Sequence, residues 1–212
     1  MYTNVNLAAP VGALAFLGTA FLLFVVGLAL IYSLVRKRFG LTKLALLTIA
    51  LIAVLYLTVL LIFSFRSSEK VLARGLEKHF CEIDCHLAYA VVGEKAETLR
   101  EGRVRHTVTV RVRFDEETIS ARRSRAATLT PNSRYVALVD AEGHQYPGST
   151  DGLKRPLIPG ESYTTDLVFD VPADARDLRL VLRNNDAETA FIIGHENSLL
   201  HGKTTFSLTK VS

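Results

Sequence analysis

Two long apolar runs open the chain, and an alternating pattern replaces them further on. VGALAFLGTAFLLFVVGLALIYSLV, Val11–Val35, and LALLTIALIAVLYLTVLLIFSF, residues 44–65, contain no Asp, Glu, Lys or Arg. A helix needs about 20 apolar residues to cross the hydrocarbon core of a bilayer. Neither run carries the polar stripe of a helix half-buried in a soluble domain. Both are read as transmembrane helices, forming an anchor over residues 1–65. A cleaved signal peptide is not expected, because MYTNVNLAAP has no Lys or Arg and the apolar core that follows is too long. Small residues recur at Ala13, Ala20 and Gly27, a stripe that lets a second helix approach closely.

Residues 66–85 are expected as a juxtamembrane stalk, with Gly75 as a weak point. From residue 86 the period becomes two. In VRHTVTVRVRF, 104–114, Val108, Val110, Val112 and Phe114 share one face while Arg and Thr take the other, as in a half-buried strand. Further strands are expected at 86–92, at 134–140 turning through Ala141-Glu142-Gly143 into 144–146, at 162–171, around Leu178, Leu180 and Leu182, at 191–193 and at 204–208. Short strands separated by turns predict an all-β sandwich over residues 86–212. The fold class is therefore α+β by content: a transmembrane helical hairpin followed by an immunoglobulin-like sandwich.

Charge then sets an orientation. Of 25 Lys and Arg, four (Arg36, Lys37, Arg38 and Lys43) lie in the connection at 36–43, which leaves 21 basic against 21 acidic residues from Arg66 onward. The net +4 is thus local to that loop and is not the spread basic surface of a nucleic-acid binder. Cytoplasmic loops carry the Lys and Arg excess. That places 36–43 in the cytoplasm, with the N-terminus and residues 66–212 on the outer side.

Three segments in order carry a resemblance: HTVTVRVRF; VALVDAEGHQYPGS; and LIPGESYTTDLVFDVPADARDLRLVL. Over about residues 104–182 the chain resembles a bacterial extracytoplasmic immunoglobulin-like domain of unknown function, a family common on lipoproteins and membrane-anchored proteins. The two spans and the charge of their connection, on such a domain, place the chain in the bacterial plasma (inner) membrane as a multi-pass protein. The resemblance implies a binding, assembly or envelope role, with another envelope or membrane-complex protein as partner. The two-span anchor and the cysteine pair depart from that family.

Both cysteines fall in His79-Phe-Cys81-Glu-Ile-Asp-Cys85-His86. An oxidising outer compartment favours a Cys81–Cys85 disulfide closing a small loop. Two thiolates and an imidazole are also soft ligands that suit copper, with Cys81, Cys85 and His86 as the set and His79, His195 or His201 as a further ligand. Covalent haem is the third reading, with one residue more than the usual Cys-x2-Cys-His. No Gly-x-Ser-x-Gly, phosphate-cradling Gly-rich loop or His-Glu-x-x-His occurs. The expectation is a module without catalytic activity or cofactor, possessing the lipid bilayer and a protein as partners and no nucleic acid. A copper protein of delivery or electron transfer is the alternative.

Overall fold

The computed structural model describes residues 2–3, 8–80, 86–100, 102–119, 124–131, 135–183 and 187–208. The chain forms two compact units. One contains residues 6–68 and Ala187–Gly202; the other contains 1–5, 69–186 and 203–212.

In the first unit, α1 (Ala8–Val35) and α2 (Phe39–Arg66) form a hairpin. Each has 28 residues, or about 42 Å of helix at 1.5 Å per residue, so both are long and apolar enough to cross a membrane. Leu, Phe, Ile and Val side chains are exposed along both helices. The turn is shorter than the charge pattern suggests, because helix resumes at Phe39 and takes Lys43 into its first turns. The Lys37 N–H donates to the Leu34 carbonyl and the Arg38 N–H to that of Ser33, with Lys37 at φ +53°. This is the left-handed helix ending usually supplied by glycine. Ser33 and Thr42 hydroxyls join the two helices at 2.9 Å beside that turn.

The second unit is a sandwich of two five-stranded sheets. Strands β1 (Tyr2–Thr3), β3 (Lys78–Phe80), β4 (Leu87–Thr98), β5 (Arg103–Phe114) and β8 (Ser162–Pro172) lie in that order in the first sheet. The second sheet runs β2 (Lys70–Leu72), β10 (Thr204–Ser207), β9 (Arg179–Arg183), β6 (Tyr135–Val139) and β7 (Gln145–Pro147). Neighbours are antiparallel except β1 with β3 and β2 with β10. The alternation in β5 is realised: Val108, Val110, Val112 and Phe114 are buried and meet Leu167, Phe169 and Val171 of β8 in the same core. Leu138, Leu180, Leu182 and Phe206 close it from the other sheet.

Two expectations are corrected here. The stalk at 66–85 instead supplies β2 and β3, one to each sheet, joined by a turn in which Gly75 has φ +89° and its N–H donates to Val91. Three-residue strands are too short to display a period. In addition, Lys78 in β3 faces inward, where a sequence pattern would put an apolar residue. The sandwich therefore begins before residue 86. The strand expected at 191–193 is also absent: Phe191 ends a short 3-10 helix, Ala187–Phe191, and a bend and turn follow it within the helical unit.

Lys78 crosses the sandwich. It is fully buried, and its Nζ donates to the Leu182 carbonyl at 3.0 Å and the Thr204 carbonyl at 2.9 Å. The β9–β10 ladder runs through Ser207↔Arg179 and Phe206↔Leu180. Leu182 and Thr204 lie two residues further along, where the strands part. One side chain of the first sheet thus satisfies two carbonyls of the second at its open end. Replacing Lys78 with Met should leave both acceptors buried without this donor and lower stability by about 1–3 kcal/mol. Urea unfolding of the full-length protein in detergent reads this as a lower midpoint at unchanged slope, with the exposed Lys70→Met variant unaffected.

Candidate functional site

Phe80 pairs with Leu87, so residues 81–86 connect β3 to β4. Cys81 and Cys85 lie outside the described residues. Among these, the expected site is represented by His86 and by the neighbouring His79, which flank the pair.

His79 is buried on the outer face of the first sheet, opposite Ala88. Its Nε2 lies 3.1 Å from Asp115 Oδ2. Burial pushes the Asp115 carboxyl up. Hydrogen bonds from His79, from the Glu117 N–H and from Arg113 outweigh this and hold it below the usual carboxylate range. An ionised carboxylate only accepts, so Nε2 of His79 carries the proton. Its Nδ1 is buried and without a hydrogen-bond partner among the described residues.

His86 is oriented by a similar logic. Its Nδ1 lies 2.6 Å from Thr118 Oγ1, whose own hydrogen goes to the Asp115 carbonyl at 2.8 Å. Nδ1 is therefore the donor. The ring stacks on Phe114, with centroids 5.7 Å apart and planes at 26°. The Asp115 N–H donates to the His86 carbonyl at 2.7 Å. One residue at the end of β5 thus fixes the chain on both sides of the cysteine segment.

The small side chains of Ala88 and Ala90 leave room for a charged lattice across this face. Glu77 takes a two-pronged contact from Arg113, at 3.1 and 2.7 Å, and a third bond from Arg111 at 3.1 Å. Arg113 also reaches Asp115 at 3.3 Å. The hydrogen bond from Arg113 is the main reason that the Glu77 carboxyl sits below its ordinary value.

Asp115 and Thr118 escaped the sequence reading. The only signal was Asp-Glu-Glu-Thr directly after β5, where Asp115 caps a short 3-10 turn by accepting from the Glu117 N–H at 3.2 Å. The tail histidines belong to the helical unit, whereas His79 and His86 belong to the sandwich. His195 Nδ1 accepts from the Asn197 N–H at 2.9 Å, and His201 Nδ1 donates to the Gly202 carbonyl at 2.8 Å. Among the described residues no three His, Cys, Asp or Glu side chains group so as to hold a metal ion.

A second concentration of ionisable groups lines a cleft at the β6–β7 hairpin, with Asp140, Glu142, His144, Tyr146, Asp174 and Asp177 on its walls. Its central carboxylate is occupied by the turn itself. Asp140 Oδ1 accepts from the Glu142 and His144 N–H groups at 3.0 and 2.9 Å, and Oδ2 accepts from the Tyr146 hydroxyl at 2.8 Å. Burial raises the Asp140 carboxyl, but the Tyr146 and His144 hydrogen bonds prevail and hold it low. The same bond pushes the Tyr146 hydroxyl up.

Two solved structures are similar to this chain. One is a secreted protein of Mycobacterium tuberculosis, 14% identical, covering 66% of this chain and 99% of its own, with a TM-score of 0.43. The other is an uncharacterised β-sandwich protein of Clostridium difficile, 10% identical, covering 68% and 97%, with a TM-score of 0.41. No family model and no curated protein matches the chain.

A carboxyl held low in the folded state contributes stability above its unfolded pKa, near 3.8, and loses it as pH falls through the folded value. The Asp140→Asn variant should therefore unfold at a lower temperature than the parent protein at pH 7. That gap should stay constant down to about pH 5 and narrow towards pH 3, as thermal scans of the full-length protein in detergent would read.

Proposed function

We propose that the chain is a membrane-anchored binding or assembly module, without catalytic activity of its own, that presents its sandwich on the extracytoplasmic side. The observation that carries this reading is the pairing of β1 with β3. The strand before the hairpin and the strands after it lie in one sheet, so the chain leaves a domain, passes through two apolar helices and returns to the same domain. Two crossings achieve that return. The Arg36-Lys37-Arg38 turn then faces the cytoplasm, with the sandwich in the periplasm or outer space of the plasma membrane.

The partner in this reading is an envelope or membrane-complex protein that offers an extended segment. β8 ends the first sheet as an eleven-residue strand with Thr164, Asp166 and Val168 exposed. A sheet edge pairs readily with an added strand. In intact cells, a cysteine replacing exposed Lys154 should react with a membrane-impermeant maleimide, whereas one replacing Lys37 should react only after permeabilisation. Both are tested with Cys81 and Cys85 changed to Ser. A photo-crosslinker at Val168 should yield one discrete heterologous adduct in native membranes. Labelling of Lys37→Cys from outside would reject the orientation, and the absence of any adduct at β8 would reject that edge as the contact.

One observation favours a second reading, copper binding by Cys81, Cys85 and His86 with His79. Metal-bound histidines commonly donate their other N–H to a carboxylate or hydroxyl. His79 and His86 are oriented in that manner by Asp115 and Thr118, and Nδ1 of His79 is buried without a partner among the described residues. Elemental analysis with a thiol count separates the readings. Stoichiometric copper with thiols released only by a chelator, and lost in His79→Ala, supports a metal centre; a metal-free protein with a Cys81–Cys85 disulfide rejects it.

A further inference from the structure

Ala187–Gly202 leaves the sandwich between β9 and β10 and belongs to the helical unit. Its polarity is in part inverted, although Ile193 is buried and Glu188 exposed in the usual way. His195, Glu196 and Ser198 are only 2%, 4% and 1% exposed, whereas Phe191, Leu199 and Leu200 are 48%, 52% and 61% exposed. A loop in water does the reverse, because exposing large apolar groups while enclosing ionisable ones is unfavourable on both counts. The pattern suits a segment surrounded by hydrocarbon.

In that medium backbone polar groups must be satisfied internally, and several in the segment are. The N–H groups of Ile192, His195, Ser198, Leu199 and His201 donate to the carbonyls of Thr189, Ile192, His195, Ala190 and Ser198, at 2.9–3.3 Å. The Ser198 hydroxyl donates to the Ile192 carbonyl.

Contacts with the hairpin set the depth. At the end of α2 the Gly202 N–H donates to Ser67 Oγ at 2.6 Å. Tyr56, inside α2, donates its hydroxyl to the Phe191 carbonyl at 2.6 Å. Tyr56 lies about 15 Å along the helix from Arg66 at 1.5 Å per residue, roughly half of a 30 Å hydrocarbon core. Near the start of α1, a Cβ on Gly12 would overlap the Ile193 carbonyl, so the absent side chain is what lets the segment lie against this helix. Glu188, three residues before Phe191 in the same short helix, is exposed as well, so the lipid-facing part of the segment begins after it.

We infer that Ala187–Gly202 is a re-entrant segment of the outer leaflet, with Phe191, Leu199 and Leu200 in contact with lipid acyl chains and His195, Glu196 and Ser198 shielded behind them. The occupant of this surface is lipid because it continues the apolar surface of the two helices beside it. The inference rests on the reading of the hairpin as a membrane anchor. It makes the third membrane element a piece of the sandwich connection, which no hydropathy window of helical length would detect.

The chain has no tryptophan, which permits a direct test. Single-tryptophan variants Leu199→Trp and Phe191→Trp report on the segment, Phe24→Trp on the middle of α1 and Val168→Trp on the sandwich. The full-length proteins are reconstituted in phosphatidylcholine vesicles brominated midway along the acyl chains. The expected result is quenching of both segment variants to an extent comparable with Phe24→Trp, with blue-shifted emission, and none for Val168→Trp. Blue-shifted but unquenched emission from both segment variants would mean that protein, such as a second copy, covers the surface. Red-shifted, unquenched emission would put the segment in water; either result overturns the inference while quenching at Phe24→Trp keeps the anchor. Loss of quenching at Phe24→Trp as well would overturn the anchor reading and the inference together.

Discussion

The contact on which the rest depends is that of the Lys78 amino group with two carbonyl oxygens of the opposite sheet. The bonds to Leu182 and Thr204 lie where β9 and β10 separate and the chain departs towards Ala187–Gly202. A sandwich interrupted by a long excursion has open backbone acceptors at its root. Filling them from water would admit solvent between the sheets beside Tyr89 and Phe206, which are fully buried. A lysine from the facing sheet supplies donors and keeps the root closed. The excursion can then leave a well-defined edge, and the two sheets are tied together where β9 and β10 part.

That contact also explains where sequence reasoning stopped. The β5 pattern was legible because every second residue from Val108 to Phe114 obeys one rule, and the two helices because their length and lack of charge permit few alternatives. β3 was illegible because its inward residue is a lysine flanked by Glu77 and His79, and three residues cannot establish a period against that. Ala187–Gly202 failed for a related reason. The sequence AETAFIIGHENSLLHG reads as an apolar stretch, a polar turn and another short apolar stretch, which is ordinary for a strand and loop. Only the fold reveals that the polar part is enclosed while Phe191, Leu199 and Leu200 face outward.

The candidate site divides along the same line. Cys81, Cys85 and His86 announce themselves by spacing, and the resemblance to an immunoglobulin-like domain anticipated the sandwich around them. Asp115 and Thr118, which orient the two histidines, come from the far end of β5 and are brought near by pairing Leu87 with Phe114. Contacts created by strand register have no local signature. His79 is similar: it became part of this group only because the supposed stalk is a strand of the sheet.

The pairing of Tyr2–Thr3 with β3 bears on how such a chain is made. Tyr2–Thr3 have their strand partner only after both apolar helices have emerged from the ribosome. In the proposed orientation they must be translocated before it, and MYTNVNLAAP carries no charged side chain to oppose that passage. In that orientation the strand is on the outer side before Lys78–Phe80 follows it. Completion of the first sheet thereby becomes a report that both helices have been inserted, and biogenesis of the soluble-looking domain is coupled to that of its anchor.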